Sequence, residues 1–243
     1  MIWFGRHVSL LNSSYNCTMN DPIAYIGQHG WRRLLAKVRF SRNRRALAKI
    51  LGNDNLQDSI VVSERSIEIP LAIDFLNTWV KDEPVIELGC VLPYYIFKSP
   101  NHIVYDLMDP HPANTKKDLR CLDMGEFRSN IVSISTIEHI SKGDYGINKT
   151  SVTAIDILRN IRDNAKKYFV TFPLGYNNDL DQYIMANSDD CVFLTRKESD
   201  KNDWCVVDDG QSLTDAQKKY GGYCCANTVC IASNCLSCET TMS

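Results

Sequence analysis

The sequence predicts an α/β protein with a mostly parallel sheet and an antiparallel hairpin at one edge. Three observations carry that expectation. The stretch Val85-Ile86-Glu87-Leu88-Gly89 is a short apolar run closed by an acid and a glycine, with Pro84 before it and Pro93 after it. That is the pattern of a strand buried on both faces. From residue 84 onward such runs alternate with helical spacing, as crossover units do. The last runs, at residues 192–194, 204–207 and 228–232, follow one another with no helical pattern between them, and so read as antiparallel.

Residues 1–30 show no clear period. Trp31, Leu34, Leu35 and Val38, then Ala46, Leu47, Ile50 and Leu51, recur at helical spacing. Among them lie Arg32, Arg33, Lys37, Arg39, Arg42, Arg44, Arg45 and Lys49, so the segment is basic and amphipathic. Gly52-Asn53-Asp54-Asn55 is a breaker. The expected organisation is a lead-in with a basic helical segment over 1–55, an α/β domain over 56–234 and a flexible tail over 235–243. Within the domain, residues 63–70 read as extended and lead into a helix that buries Leu71, Ile73, Phe75, Leu76 and Val80, with Pro70 in its first turn. Strands are expected at 84–89, 103–106, 119–122, 131–135 and 168–172. A helix carrying Val152, Ile155, Leu158, Ile161 and Ala165 on one face precedes the last of these, and loops are expected after residues 135 and 173.

Composition bounds the function. The chain has 243 residues, 44% hydrophobic and 23% charged, with a formal net charge of -2. It can bury a sizeable core and does not advertise a polyanionic partner. No apolar run approaches the ~20 residues that a spanning helix needs. The first residues lack the apolar core of a secretory signal, so a cytoplasmic address is expected and the three Asn-x-Ser/Thr sites at Asn12, Asn16 and Asn148 read as chance. Of the ten cysteines, most are expected to be buried small hydrophobes in a reducing compartment and the rest tail thiols, not a metal site. The basic stretch at 31–50 offers contact to an anionic surface. It lacks the interleaved aromatics that stack nucleic-acid bases.

The acids at the strand ends point to chemistry. Glu87 closes the first strand and Asp106 the second, with Gly89 between them. An acid about 20 residues past a glycine turn, on the next strand, is placed to accept hydrogen bonds from a ribose diol. Asp123, expected at the end of the third strand, is placed to meet an exocyclic amine. Three acids on adjacent strand ends describe an adenosine site more than a phosphate site, since a pyrophosphate calls for a richer glycine pattern.

Over about residues 60–232 the chain resembles the class I S-adenosylmethionine-dependent methyltransferases. It is most similar to a group found among polysaccharide-synthesis proteins. The resemblance rests on Glu87-Leu88-Gly89-Cys90-Val91-Leu92-Pro93-Tyr94-Tyr95, on Ser133-Ile134-Ser135-Thr136-Ile137-Glu138-His139 and on Pro173-Leu174-Gly175-Tyr176-Asn177. A late Trp204 and the pair Ala226-Asn227 add to it. The chain departs from the family in keeping one glycine, Gly89, of the usual Gly-x-Gly-x-Gly. The resemblance implies a Rossmann-like, doubly wound, seven-stranded sheet. It also implies S-adenosyl-L-methionine as cofactor, held at Glu87, Gly89, Cys90, Asp106, Asp123, Ser135 and Thr136, and a sugar hydroxyl of a glycan or glycan precursor as acceptor. His139 is then the general base, an imidazole on a polar loop and the side-chain type suited to proton transfer near neutral pH. Glu138 orients its ring or meets the cofactor, and Asp144 and Tyr145 shape the acceptor pocket. No spacing demands a metal at Asp144, Asp179 or Asp181. Two alternatives stand beside this reading: a fold of the same kind that binds partners without chemistry, and a nucleic-acid methyltransferase that uses the basic stretch. A nicotinamide enzyme is disfavoured by the single glycine and the edge hairpin.

Overall fold

The computed structural model describes residues 64–95, 101–143, 151–197, 200–207, 210–221 and 226–235. The basic segment at 31–50, Asp144 and Tyr145 lie outside the described residues. No helix among the described residues is long and apolar enough to cross a membrane.

The chain enters through α1 (Arg65–Phe75), which runs on as a wider helical turn over Leu76–Val80. Then come β1 (Val85–Leu88), β2 (His102–Tyr105), β3 (Asn114–Thr115), α2 (Met124–Phe127) and β4 (Asn130–Ile134). The second half holds α3 (Ala154–Asn164), β5 (Tyr168–Pro173), α4 (Asn178–Ala186), β6 (Cys191–Lys197), β7 (Asp200–Val207) and β8 (Thr228–Ala232). The strands form one sheet in the order β3-β2-β1-β4-β5-β8-β6-β7. The first five of these pair in parallel. β8 lies antiparallel between β5 and β6, and β7 lies antiparallel on β6.

The sheet has eight strands, not seven. The β6–β7 hairpin adds a strand outside β6. The third strand is also displaced. Residues Leu119–Cys121 form a tight helical turn, because the Asp118 carboxylate accepts the Arg120 N–H (3.0 Å) and grips the Arg120 guanidinium. Asn114–Thr115 pairs with β2 in its place.

Two further expectations need correction. Residues 65–70 are helical, not extended, and Pro70 sits inside α1 rather than in its first turn. The alternation of Ile67 and Ile69 imitates a strand. In the helix Ile67, Ile69, Leu71, Ala72 and Phe75 are all buried. The loop expected after residue 173 contains α4, capped by the Asn177 side chain, which accepts the Leu180 N–H at 3.3 Å.

Successive strand residues face opposite sides, and both sides are covered. Val85, Val132, Ile134, Phe169, Leu194, Trp204, Val206, Val229 and Ile231 pack with α1. Ile86, Leu88, Ile131, Tyr168, Val170, Phe172, Phe193 and Cys230 pack with α2, α3 and α4. α3 begins at a reciprocal cap in which Thr153 and Asp156 satisfy each other's backbone N–H groups, a device that fixes the helix start. Cys235, placed by sequence at the head of the tail, is buried against the α1 layer.

Phe169 joins the α1 layer to the sheet: it is fully buried and its ring stacks on Phe75 with centroids 5.6 Å apart. Phe169→Ala should lower unfolding free energy by about 3–5 kcal/mol, read from urea denaturation followed by circular dichroism.

Candidate functional site

β1 pairs with β2 on one side and β4 on the other, so the chain direction of winding reverses beside it. In open α/β sheets ligands bind at the carboxyl ends of the strands at such a point. The carboxyl ends of β1 and β4 are tied together here, since Ser133 Oγ donates to the Leu88 carbonyl at 2.9 Å.

Gly89 turns the chain off β1 with φ +90° and donates its N–H to the Tyr105 carbonyl at 2.8 Å. A Cβ at this position would stand 2.0 Å from Thr136 Oγ1. The glycine is therefore required twice, by its φ and by the close approach of Thr136. Ser135, just before, has φ +40°, an uncommon conformation for a residue with a side chain. The two turns that leave β1 and β4 thus lock into each other through Gly89 and Thr136.

Glu87 is fully buried. One carboxylate oxygen accepts the N–H groups of Val91 (2.9 Å) and Leu92 (2.7 Å), and the other lies 2.8 Å from Nε2 of the buried His102. Its carboxylate shapes the loop after β1 from below, so it would act on a ligand through that loop. Asp106 is half-buried. Its Oδ1 accepts the N–H groups of Met108 (2.8 Å) and Asp109 (2.9 Å), and its Oδ2 accepts that of Cys90 (3.3 Å). It bridges the ends of β1 and β2. Asp109 continues the bridge: it accepts the Tyr94 hydroxyl at 3.0 Å and the His111 N–H at 2.8 Å, while Tyr94 and His111 meet edge to face. Burial, reinforced by Asp109, pushes the Tyr94 hydroxyl up to about 12 and raises the Cys90 thiol strongly. Cys90 is thus a protonated thiol at neutral pH.

Asp123 does not close a strand. It is the exposed N-cap of α2, accepting the Glu126 N–H at 2.9 Å while Glu126 returns the contact to the Asp123 N–H at 2.9 Å. Around these acids stand Tyr94, Met108 and Met124, which are 44%, 54% and 47% exposed.

The second half of the site follows β4. His139 is partly exposed, its ring edge-on to Tyr176 with centroids 4.6 Å apart, and Tyr176 is edge-on to Tyr220. Asn177 donates from its side chain to the Glu138 carbonyl at 2.9 Å, so the loops after β4 and β5 hold each other. Glu138 itself turns inward. It is buried, its Oε1 stands 3.8 Å from His139 Nε2, and its Oε2 has no hydrogen-bond partner among the described residues. Burial first, then the charge of Glu68, pushes its carboxyl well above the usual carboxylate range.

Beneath this loop lies a set of charges the sequence reading missed. Glu68, fully buried on α1, accepts hydroxyls from Ser135 (2.6 Å) and Thr171 (2.7 Å) and pairs with Arg65 at 3.0 Å. Arg65 also donates to the Ile134 carbonyl at 3.2 Å. Burial works against the Arg65 charge, yet Glu68 and its other anionic neighbours outweigh it and hold the guanidinium above its ordinary value. Glu64 accepts the Ala226 N–H and lies 3.6 Å from Arg196, and burial with the Glu68 charge raises its carboxyl. The one signal in the sequence is the spacing Glu64-Arg65-x-x-Glu68, which places three charges on one helical face.

The structure therefore gathers Glu87, Gly89, Cys90, Asp106, Ser135, Thr136, Glu138 and His139 around the carboxyl ends of β1, β2 and β4. Asp123 stands on α2 beyond β2 and β3. No protein-family model matches the chain, and a search of curated proteins finds no significant match.

Gly89→Ala should cost about 1–3 kcal/mol. Adding Thr136→Gly should recover the steric part, which Thr136→Ala would not, because the Thr136 Cβ itself stands 2.7 Å from the new Cβ. The part due to φ should remain. Thermal unfolding of both variants beside Thr136→Gly alone reads this out, and full recovery would show that the backbone carries no strain. Glu138 gives a pH test. Its folded-state value lies above the ordinary 4.5, so the folded chain binds more protons in that window and stability falls as pH rises through it. Glu138→Gln should flatten the slope of unfolding free energy measured between about pH 5 and pH 8.

Proposed function

We propose that this chain binds S-adenosyl-L-methionine and transfers its methyl group to a hydroxyl of a glycan or glycan precursor. One observation carries the reading: the edge at the winding reversal brings Gly89, Cys90, Asp106, Ser135 and Thr136 together, with His139 on the same loop as Thr136. The Rossmann-like strand order agrees with it. β8 runs antiparallel to both β5 and β6, and the resemblance implies an antiparallel seventh strand.

The residues suit the cofactor's parts. Asp106 is the acid at the end of β2 and remains half-exposed, a place from which a carboxylate accepts hydroxyls of a ribose. The exposed Tyr94, Met108 and Met124 offer apolar surface that a flat base would cover. The bound cofactor supplies an electrophilic methyl on a sulfonium. The chain's own part is to align the acceptor oxygen, exclude water and take one proton. His139 is the group for the proton, since its side chain is partly exposed and Tyr176 stands edge-on to the ring. Glu138 lies buried beside it, Oε1 3.8 Å from Nε2, with its carboxyl pushed well above the usual range by burial.

A second reading, a fold of this kind that binds without chemistry, is favoured by one observation. The Asp106 carboxylate already accepts three backbone N–H groups.

Calorimetric titration with S-adenosylmethionine and with S-adenosylhomocysteine separates the two. Micromolar binding of either is expected, and Asp106→Ala should weaken it by at least about tenfold. His139→Ala should leave binding intact and lower turnover by about 10²–10⁴. Folded protein that binds neither nucleoside would overturn the methyltransferase reading.

A further inference from the structure

An open groove of about 630 Å³ runs along α4 at the carboxyl end of β5. That volume lies within the range of small-molecule sites. Its floor is apolar, from Leu174 and Met185, and its polar groups are Asn178, Asp181, Gln182 and Lys218. Asn178, Asp181, Gln182 and Met185 recur at helical spacing, so one face of α4 forms one wall and the segment around Lys218 the other.

The end of the groove is rigid. Gly175 has φ +83°, and a Cβ there would stand 2.3 Å from the Lys218 carbonyl. Asp181 accepts the Gly175 N–H at 2.7 Å. The other Asp181 oxygen lies just under the surface with no hydrogen-bond partner among the described residues. Tyr176 and Tyr220, next along the chain from the two walls, form the stack that ends on His139. Gly175 and Lys218 of the groove thus lie one and two residues along the chain from the rings that stack toward the imidazole.

We infer that this groove holds the acceptor, and that the acceptor is a sugar ring bearing a carboxylate. The inference rests on the methyltransferase reading for the word acceptor, and on the groove alone for the ligand's chemistry. Two side-chain amides and a carboxylate along one wall both donate and accept, as a set of ring hydroxyls requires. The apolar floor takes the C–H face. Lys218, which has no ion-pair partner among the described residues, supplies a cation to the groove, and burial pushes the Asp181 carboxyl up to about 6 against the pull of the Gly175 N–H and of Lys142. The balance favours an anionic ring over a neutral one.

The test is NMR titration of the ¹⁵N-labelled full chain with methyl β-D-glucuronide and, separately, methyl β-D-glucoside. Saturable shifts are expected at Gly175, Asn178 and Gln182, with tighter binding of the glucuronide. Lys218→Met should bring the glucuronide down to the glucoside's affinity, and Gln182→Ala should weaken both by about tenfold. No saturable shift at these three residues, or shifts that neither substitution alters, overturns the groove assignment. Equal affinity for the two sugars overturns the anionic preference. Each result is independent of cofactor titration: groove shifts in a chain that binds no S-adenosylmethionine would remove the methyl-transfer reading and leave the sugar site. Cofactor binding without groove shifts would do the reverse.

Discussion

The edge that carries the candidate site depends on one buried carboxylate. Glu68 has no exposure, and removing a charge from water is costly unless it is paired and hydrogen-bonded. Here it meets the Arg65 guanidinium and two hydroxyls. Those hydroxyls belong to Ser135, where β4 ends, and Thr171, inside β5. A single group on α1 thus sets the relative position of two strands and the first turn of the loop that carries His139. Replacing it by an apolar residue would leave the half-buried Arg65 beside Ile134 with its main anionic partner gone.

The site's second constraint is steric. Gly89 and Thr136 touch so closely that the turn after β1 and the turn after β4 behave as one piece. Glu87 stiffens the first of these from beneath by taking the Val91 and Leu92 N–H groups, and Asn177 stiffens the second by holding the Glu138 carbonyl. A site whose loops are fixed in this way spends little of a ligand's interaction energy on ordering them. His139 alone stands partly outside the frame, with an aromatic edge against it.

What could be read from the sequence follows from how local the signal is. β1, β4 and β5 are continuous apolar runs bounded by proline, glycine or polar residues, and each appeared within a residue or two of its expected place. The start of α1 was hidden because Ile67 and Ile69 alternate as strand residues do. α4 was hidden because Leu180 and Ile184 are its only fully buried positions. The acids were visible and their employment was not. Glu87 and Asp123 read as ligand contacts at strand ends; the structure shows that Glu87 also braces a loop and that Asp123 caps a helix instead of closing a strand. Glu68 and Thr171 meet across 103 residues of chain, and no local pattern encodes that distance.

Contacts over such separations have a consequence for how the molecule is assembled. Glu64 accepts the Ala226 N–H across 162 residues, and β8 inserts between β5 and β6 although β6 and β7 precede it in the chain. During synthesis, α1 emerges long before Ser135, Thr171 and Arg196, the distant groups that meet its buried carboxylates, exist. Folding by this topology is slow, since distant segments must be brought together before they reward the closure. Until β8 arrives, the facing edges of β5 and β6 lack their partner, which is the condition in which nascent chains associate wrongly. The strand that comes last in chain order among the described residues is therefore the one that completes the sheet, and with it the electrostatic environment of α1.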